Sequence, residues 1–199
     1  MAGEHVKPSS STPESDVRAL LSAGDAAGAA TAALRSHGPR ILRYLRSLLR
    51  SEDDAKDAFS MFAEDLWKGL PSFRGDASLQ TWMFRLAWCV AQDLRKEPWR
   101  RRGRRFATGE ASAIAEEIST RSYARDERRR RDLDRLREVL SLEEQTLLDL
   151  RIDQHLSWPE IAGVLSHDSE AVHPDALAKR FERLKERLAR LAREKGLIE

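Results

Sequence analysis

Between Leu79 and Leu94 the apolar residues Leu79, Met83, Leu86, Val90 and Leu94 return at steps of three and four. That period puts one buried stripe on a helix and excludes a strand, whose side chains alternate every second residue. Ser78 stands where an N-cap belongs. Ahead of it Arg74-Gly75-Asp76 supplies a tight turn, because Gly takes backbone angles closed to other residues and Asp bonds its own backbone. The helix carries further rings off the stripe: Phe84 and Trp88, with Trp82 beside them and Arg95 further along. It runs into Arg95, Lys96, Arg100, Arg101, Arg102, Arg104 and Arg105, opposed only by Glu97. Rings on such a helix either pack against neighbouring helices or stack on unpaired bases, whose π-faces accept them. Arginines beside them are either a solvated segment or partners for phosphate.

The same helical period recurs on both sides of this stretch. Ser15-Asp16 is expected to cap a short helix through Leu20 and Leu21 that ends near Gly24, and Asp25 to cap an alanine-rich segment to about Ser36. Gly38-Pro39 is expected to break or kink it. An amphipathic helix follows, with Ile41, Leu42, Leu45, Leu48 and Leu49 on one side. Arg40, Arg43, Arg46 and Arg50 form a basic stripe toward solvent or a partner on the other. Ser51-Glu52-Asp53-Asp54 opens the next helix, its carboxylates at the positive end of the helix dipole. Ala55, Ala58, Phe59, Phe62, Leu66 and Trp67 form its apolar side, leaving Asp54, Asp57, Met61, Glu64, Asp65 and Lys68 for other faces.

After the arginines the composition changes. Phe106 to Thr120 has small residues and carboxylates without a strong period, which reads as a linker. A charged helix from Arg121 follows, with Leu133, Leu136, Val139 and Leu140 as its apolar face. Two capping boxes, Ser141 with Glu144 and Ser157 with Glu160, then start two short helices. The first carries Leu142, Leu147, Leu148, Leu150 and Ile152, the second Trp158, Ile161, Ala162, Val164 and Leu165. His173 or Asp175 caps a last helix from Pro174 to about Lys195, striped by Leu177, Phe181, Leu184, Leu188 and Leu191 and crowded with Lys and Arg elsewhere. A short helix, a turn and a long basic helix is the order of a helix-turn-helix reader, although such helices also bind partners or RNA. The fold class is all-α: two small helical domains on a flexible linker, the C-terminal one a helix-turn-helix.

Composition narrows the function. With 41% hydrophobic and 34% charged residues the chain fits a soluble globular class, and a net charge of only +2 means that any nucleic-acid binding depends on clustered charge. The single cysteine, Cys89, allows no internal disulfide. No apolar run of signal-peptide type opens the chain and no stretch is apolar enough to span a membrane, so a cytoplasmic location is expected. No phosphate loop, nucleophile motif or metal-ligand spacing is visible, and neither an enzyme nor a cofactor is expected. His167 and His173 have poor zinc spacing, and His5, His37 and His155 are isolated.

In order and spacing, these pieces resemble the sigma-70 family of sigma factors, in its short extracytoplasmic-function (ECF) group, over about Asp25 to Leu191. The residues that carry the resemblance in the first half are Asp54-Ala55-Lys56-Asp57-Ala58, Trp67, Phe73-Arg74-Gly75, Thr81-Trp82-Met83 and Asp93-Leu94-Arg95. In the second half they are Leu156-Ser157-Trp158-Pro159-Glu160-Ile161-Ala162. The resemblance implies a flexible tail over 1–24, sigma region 2 over 25–105, a linker over 106–130 and sigma region 4 over 131–199. It implies binding to bacterial core RNA polymerase through Asp54, Asp57, Ser60, Met61, Glu64 and Asp65. Recognition and melting of the −10 promoter element would use Phe73, Arg74, Trp82, Arg85, Trp88, Cys89, Arg95, Arg100, Arg101 and Arg102. Lys179, Glu182, Arg183 and Glu186 would read the −35 element. Promoter DNA and an anti-sigma factor are the other partners implied, for a protein that is monomeric when free.

Three departures stand out. Ser60 and Ala63 replace a usual Gln and Phe, Cys89 replaces a frequent Asn, and residues 166–173 lengthen the turn before the last helix. The competing reading is a helix-turn-helix regulator that acts without polymerase, which leaves the acidic helix and the aromatic-basic stretch unexplained.

Overall fold

The computed structural model describes residues 12–49, 51–96, 113–114, 116–118, 139–166 and 171–194, and among these it is all helical, with no strand. Helix α1 (Pro13–Ser22) is capped by Thr12, whose side chain accepts the N–H of Ser15, so the cap lies earlier than Ser15-Asp16. Val17 is buried, and α1 therefore packs onto its successor within a stretch expected to be a flexible tail. Helix α2 (Ala26–Leu48) starts at Asp25 as expected and does not break at Pro39. Pro39 sits inside one continuous helix. Gly38 admits close neighbours there: an added Cβ would meet Ile118 Cδ1 at 2.7 Å and Phe59 Cζ at 3.3 Å. Packing overrides the local breaker signal.

Helix α3 (Glu52–Gly69) is capped by Ser51 and passes into a 3-10 turn at Leu70–Ser72. Helix α4 (Leu79–Lys96) has Ser78 at its start, the hydroxyl accepting the Thr81 N–H at 3.1 Å. The expected basic stripe of α2 is half consumed. Arg46 is nearly buried in an ion pair with Glu52 at 2.6 Å, and Arg40 reaches the second half of the chain, which leaves Arg43 exposed, while Arg50 lies outside the described residues.

In the second half α5 (Leu142–Leu148) and α6 (Trp158–Leu165) begin at the two capping boxes, both formed as the sequence indicated. A π-helical turn, Asp149–Asp153, extends α5, and Ile152 on it is 52% exposed rather than part of the apolar side. Val139 is likewise exposed, at 49%, and Leu133 and Leu136 lie outside the described residues. Helix α7 (Pro174–Glu194) starts where the carbonyl of His173 accepts the N–H groups of Ala176 and Leu177.

The halves do not stand apart. One hydrophobic cluster runs from α1 to α7, α6 lies along α4, and α5 lies against α2. Within the stretch read as a linker, residues 113–114 and 116–118 are helical, and Ile114 and Ile118 pack on the same core. Among the described residues no helix is long and apolar enough to cross a membrane.

Candidate nucleic-acid interface

The loop before α4 turns at Gly75, whose φ of 80° is left-handed and strained for any side chain. Ahead of this turn, Phe73 lies over the start of α4 and Arg74 is exposed. Phe73 lies 5.1 Å from Trp82, ring to ring, at a tilt of 41°. Gly69 lets the Trp82 ring approach the end of α3, since a Cβ there would stand 3.3 Å from its Cζ2. Trp82 is thereby fixed yet only half-buried, and Arg85 and Cys89 follow it at helical steps, exposed and half-buried. Arg95 is exposed at the C-terminal end. Arg74 and Arg95 are exposed at the two ends, and Phe73, Trp82, Arg85 and Cys89 belong to one open side of the loop and α4. Trp88 does not: it is 3% exposed, and its indole N–H has no hydrogen-bond partner. Phe84 is fully buried, its ring edge-on to Tyr44 at 5.3 Å. A ring in a helix seam cannot at the same time be a platform for bases, so for these two rings the packing alternative holds in this arrangement. Arg100, Arg101 and Arg102 lie outside the described residues.

On α3, Asp57 is exposed and Asp54, Ser60 and Asp65 are half-buried. Partial burial, with the charge of Asp53, holds the Asp57 carboxyl above its usual range. Met61 and Glu64 are covered, at 5% and 3%, and Glu64 is ion-paired to Lys68. These two are corrected from surface to interior positions. The helical period identifies one buried side of α3, whereas α2, α4 and residues near Ile118 enclose more than one.

The face of α7 is the opposite case. Lys179, Glu182, Arg183 and Glu186 are all exposed. Glu182 pairs with Lys185 at 2.8 Å, and Arg183 donates to the Lys179 carbonyl at 3.3 Å. On the flank toward α5, Arg180 pairs with Glu143 at 3.1 Å and Arg187 with Glu144 at 2.8 Å. Burial pushes the Glu144 carboxyl up, but hydrogen bonds from Arg187 and the Ser141 backbone hold it below its usual value. The long turn before α7 is tied at its ends: the Ser166 hydroxyl donates to the Ala162 carbonyl at 2.7 Å and accepts the Val172 N–H at 3.3 Å.

A third set of residues carried no readable signal. Arg40 donates through Nε to Gln154 Oε1 at 2.9 Å, and its other nitrogens donate to the Gln154 carbonyl and to Gln80 Oε1, each at 3.2 Å. Gln154 donates to Asp149 Oδ1 at 3.0 Å, and Ser47 to Asp149 Oδ2 at 3.0 Å. Tyr44 donates to the Thr146 hydroxyl at 3.3 Å. Nothing in the spacing separates Arg40 from Arg43, because its partners Gln80 and Gln154 are 40 and 114 residues away in sequence. Among the described residues no cluster of His, Cys, Asp or Glu could hold a metal ion.

Comparison with known proteins bears on the first half. Residues 33–105 match the family model of sigma-70 region 2. The match supports a sigma factor of the sigma-70 family, involved in RNA polymerase binding and promoter recognition. It spans α3, the Phe73 to Ser78 loop and all of α4, together with most of α2. No curated protein and no solved structure matches the chain.

Proposed function

We propose that the chain is a sigma factor of the ECF group, with no catalytic chemistry of its own, that directs bacterial RNA polymerase to promoters with −10 and −35 elements. The observation that carries this reading is a coincidence in one place. The segment matching region 2 contains a Gly75 turn and a half-open Trp82, followed by Arg85 and Cys89 on the same side, with Arg95 exposed at the end of the helix. A fixed ring with an open edge, flanked by guanidinium groups, suits an unstacked base and its backbone. In this reading Phe73, Arg74, Trp82, Arg85, Trp88, Cys89, Arg95 and Arg100 to Arg102 serve −10 recognition and melting. Asp54, Asp57, Ser60 and Asp65 dock on polymerase, and Met61 and Glu64 support that helix from within.

The outward row Lys179, Glu182, Arg183 and Glu186 supports a −35 reader, with α6 and α7 as the two helices of a helix-turn-helix and the Ser166-tied turn between them. The protein acts as a monomer, in the cytoplasm, under the control of an anti-sigma factor. Run-off transcription with core polymerase and fragmented genomic DNA tests this: discrete start sites sharing two upstream elements are expected. Specific duplex binding with no initiation would replace the reading with that of a regulator that does not dock on polymerase. Changing Asp57 and Asp65 together to Lys is expected to weaken polymerase docking with the fold intact, and undiminished docking would remove α3 from that interface.

A further inference from the structure

The Gly75 turn has a neighbour from outside the segment that matches region 2. A Cβ on Gly75 would stand 3.2 Å from Arg18 Nη2 and 3.8 Å from its Cζ, so the bare backbone of the turn admits a guanidinium carried by α1. The matched segment begins only at residue 33. Helix α1 is firmly seated: Val17, next to Arg18, is 1% exposed, Thr12 caps the first turn, and the Asp25 N–H returns to the Leu20 carbonyl at 2.9 Å. Arg18 itself is exposed and donates through Nη2 to Glu14 Oε1 at 2.9 Å. That is its one hydrogen bond among the described residues, and the rest of its planar fork of donors is left for an anion.

We propose that Arg18 is a promoter-binding residue, which holds a phosphate of the unpaired strand at the Gly75 turn while Glu14 competes for the same guanidinium. The inference rests on the sigma-factor reading and adds to its −10 site a contact from a helix ahead of the matched segment. Gly75 follows Phe73 by two residues, so their Cα atoms are at most about 7 Å apart. A base stacked at the edge of Phe73 and Trp82 thus has its backbone within reach of the turn. Charge there is balanced, Arg18 and Arg74 against Glu14 and Asp76, so the contact depends on a placed donor rather than on a basic patch. An ion pair whose side chains are 57% and 33% exposed is worth little in water, and exchanging its carboxylate for a phosphate costs little. Glycine serves the site twice, by adopting a φ of 80° and by leaving room for the guanidinium.

The test titrates the full chain onto a fluorescent single-stranded DNA of mixed sequence over a series of potassium chloride concentrations, with run-off transcription on the same preparations. Arg18→Gln is expected to lower the slope of log affinity against log salt by about 0.7, the share of one phosphate on a single strand, and Arg18→Lys to keep it. Glu14→Gln is expected to bind more tightly than the parent, and to give no gain when Arg18→Gln is already present. An unchanged slope in Arg18→Gln, or a parent that binds no single strand, overturns the phosphate contact. An equal gain from Glu14→Gln in both backgrounds overturns the competition. An Arg18-dependent slope in a chain that never initiates with core polymerase upholds the contact and overturns the sigma-factor reading instead.

Discussion

Helices α4 and α7 both carry rows of residues suited to DNA, yet they are exposed in opposite proportions. On α4 Leu79, Thr81, Met83, Phe84, Ala87, Trp88, Val90, Ala91 and Leu94 are buried, leaving a narrow open strip. On the longer α7 only Leu177, Phe181, Leu184 and Ala192 are. The first helix is a stability element with a thin accessible edge, and the second is a surface element with a thin buried edge. Substitutions should therefore register as unfolding on α4 and as altered binding on α7.

The sharpest way to break that contrast is Phe84→Ala, which removes a fully buried ring and its edge contact with Tyr44. A loss of ~3–5 kcal/mol is expected, read from the urea midpoint. A value near zero would show that α4 is not the keystone described.

Next is Tyr44→Phe, at the seam of the two halves, which leaves the buried Thr146 hydroxyl without its donor and is expected to cost ~1–3 kcal/mol. Burial also raises the Tyr44 phenol well above its ordinary value, since an ionised phenol there would be poorly solvated. The unfolded phenol ionises near pH ~10, so the stability this group contributes is intact below that pH and is lost as pH rises above it. Denaturation measured from neutral to alkaline pH should show a smaller alkaline decline in Tyr44→Phe than in the parent.

A smaller effect is expected from Ser141→Ala, which removes the α5 capping box beside the charged flank of α7. About 1 kcal/mol should be lost in the same unfolding assay. The smallest is Arg183→Ala on the open face. Stability should stay within ~0.5 kcal/mol of the parent, while promoter preference changes at the upstream element in a selection assay. Unchanged preference would move the α7 contact to another face.

How far these features are legible in the sequence depends on the range of the interactions that set them. Ser78, Ser141 and Ser157 could be read as helix starts because a cap bonds its own first turn. The stripe on α4 and the open row on α7 follow from helical period alone. Gly38-Pro39 misled because its local preference is opposed by Ile118 and Phe59, residues remote in sequence that fill the notch. Met61 and Glu64 misled for a related reason, and the burial of Trp88 was hidden in the same way: their helices are enclosed by more than one neighbour, and no single-helix pattern reports a second contact face. The Arg40 network was invisible because each member is an ordinary polar residue until the chain brings it to its partner.

The bonds of Ser166 have a consequence for how this molecule could change over time. The hydroxyl fastens both ends of the turn, the Ala162 carbonyl behind it and the Val172 N–H ahead, so the entry to α7 is anchored by one side chain. What lies between those ends is bracketed like a cassette between fixed connectors. Its length and lettering can drift, or an epitope tag can be spliced in, while the helix that follows keeps its footing.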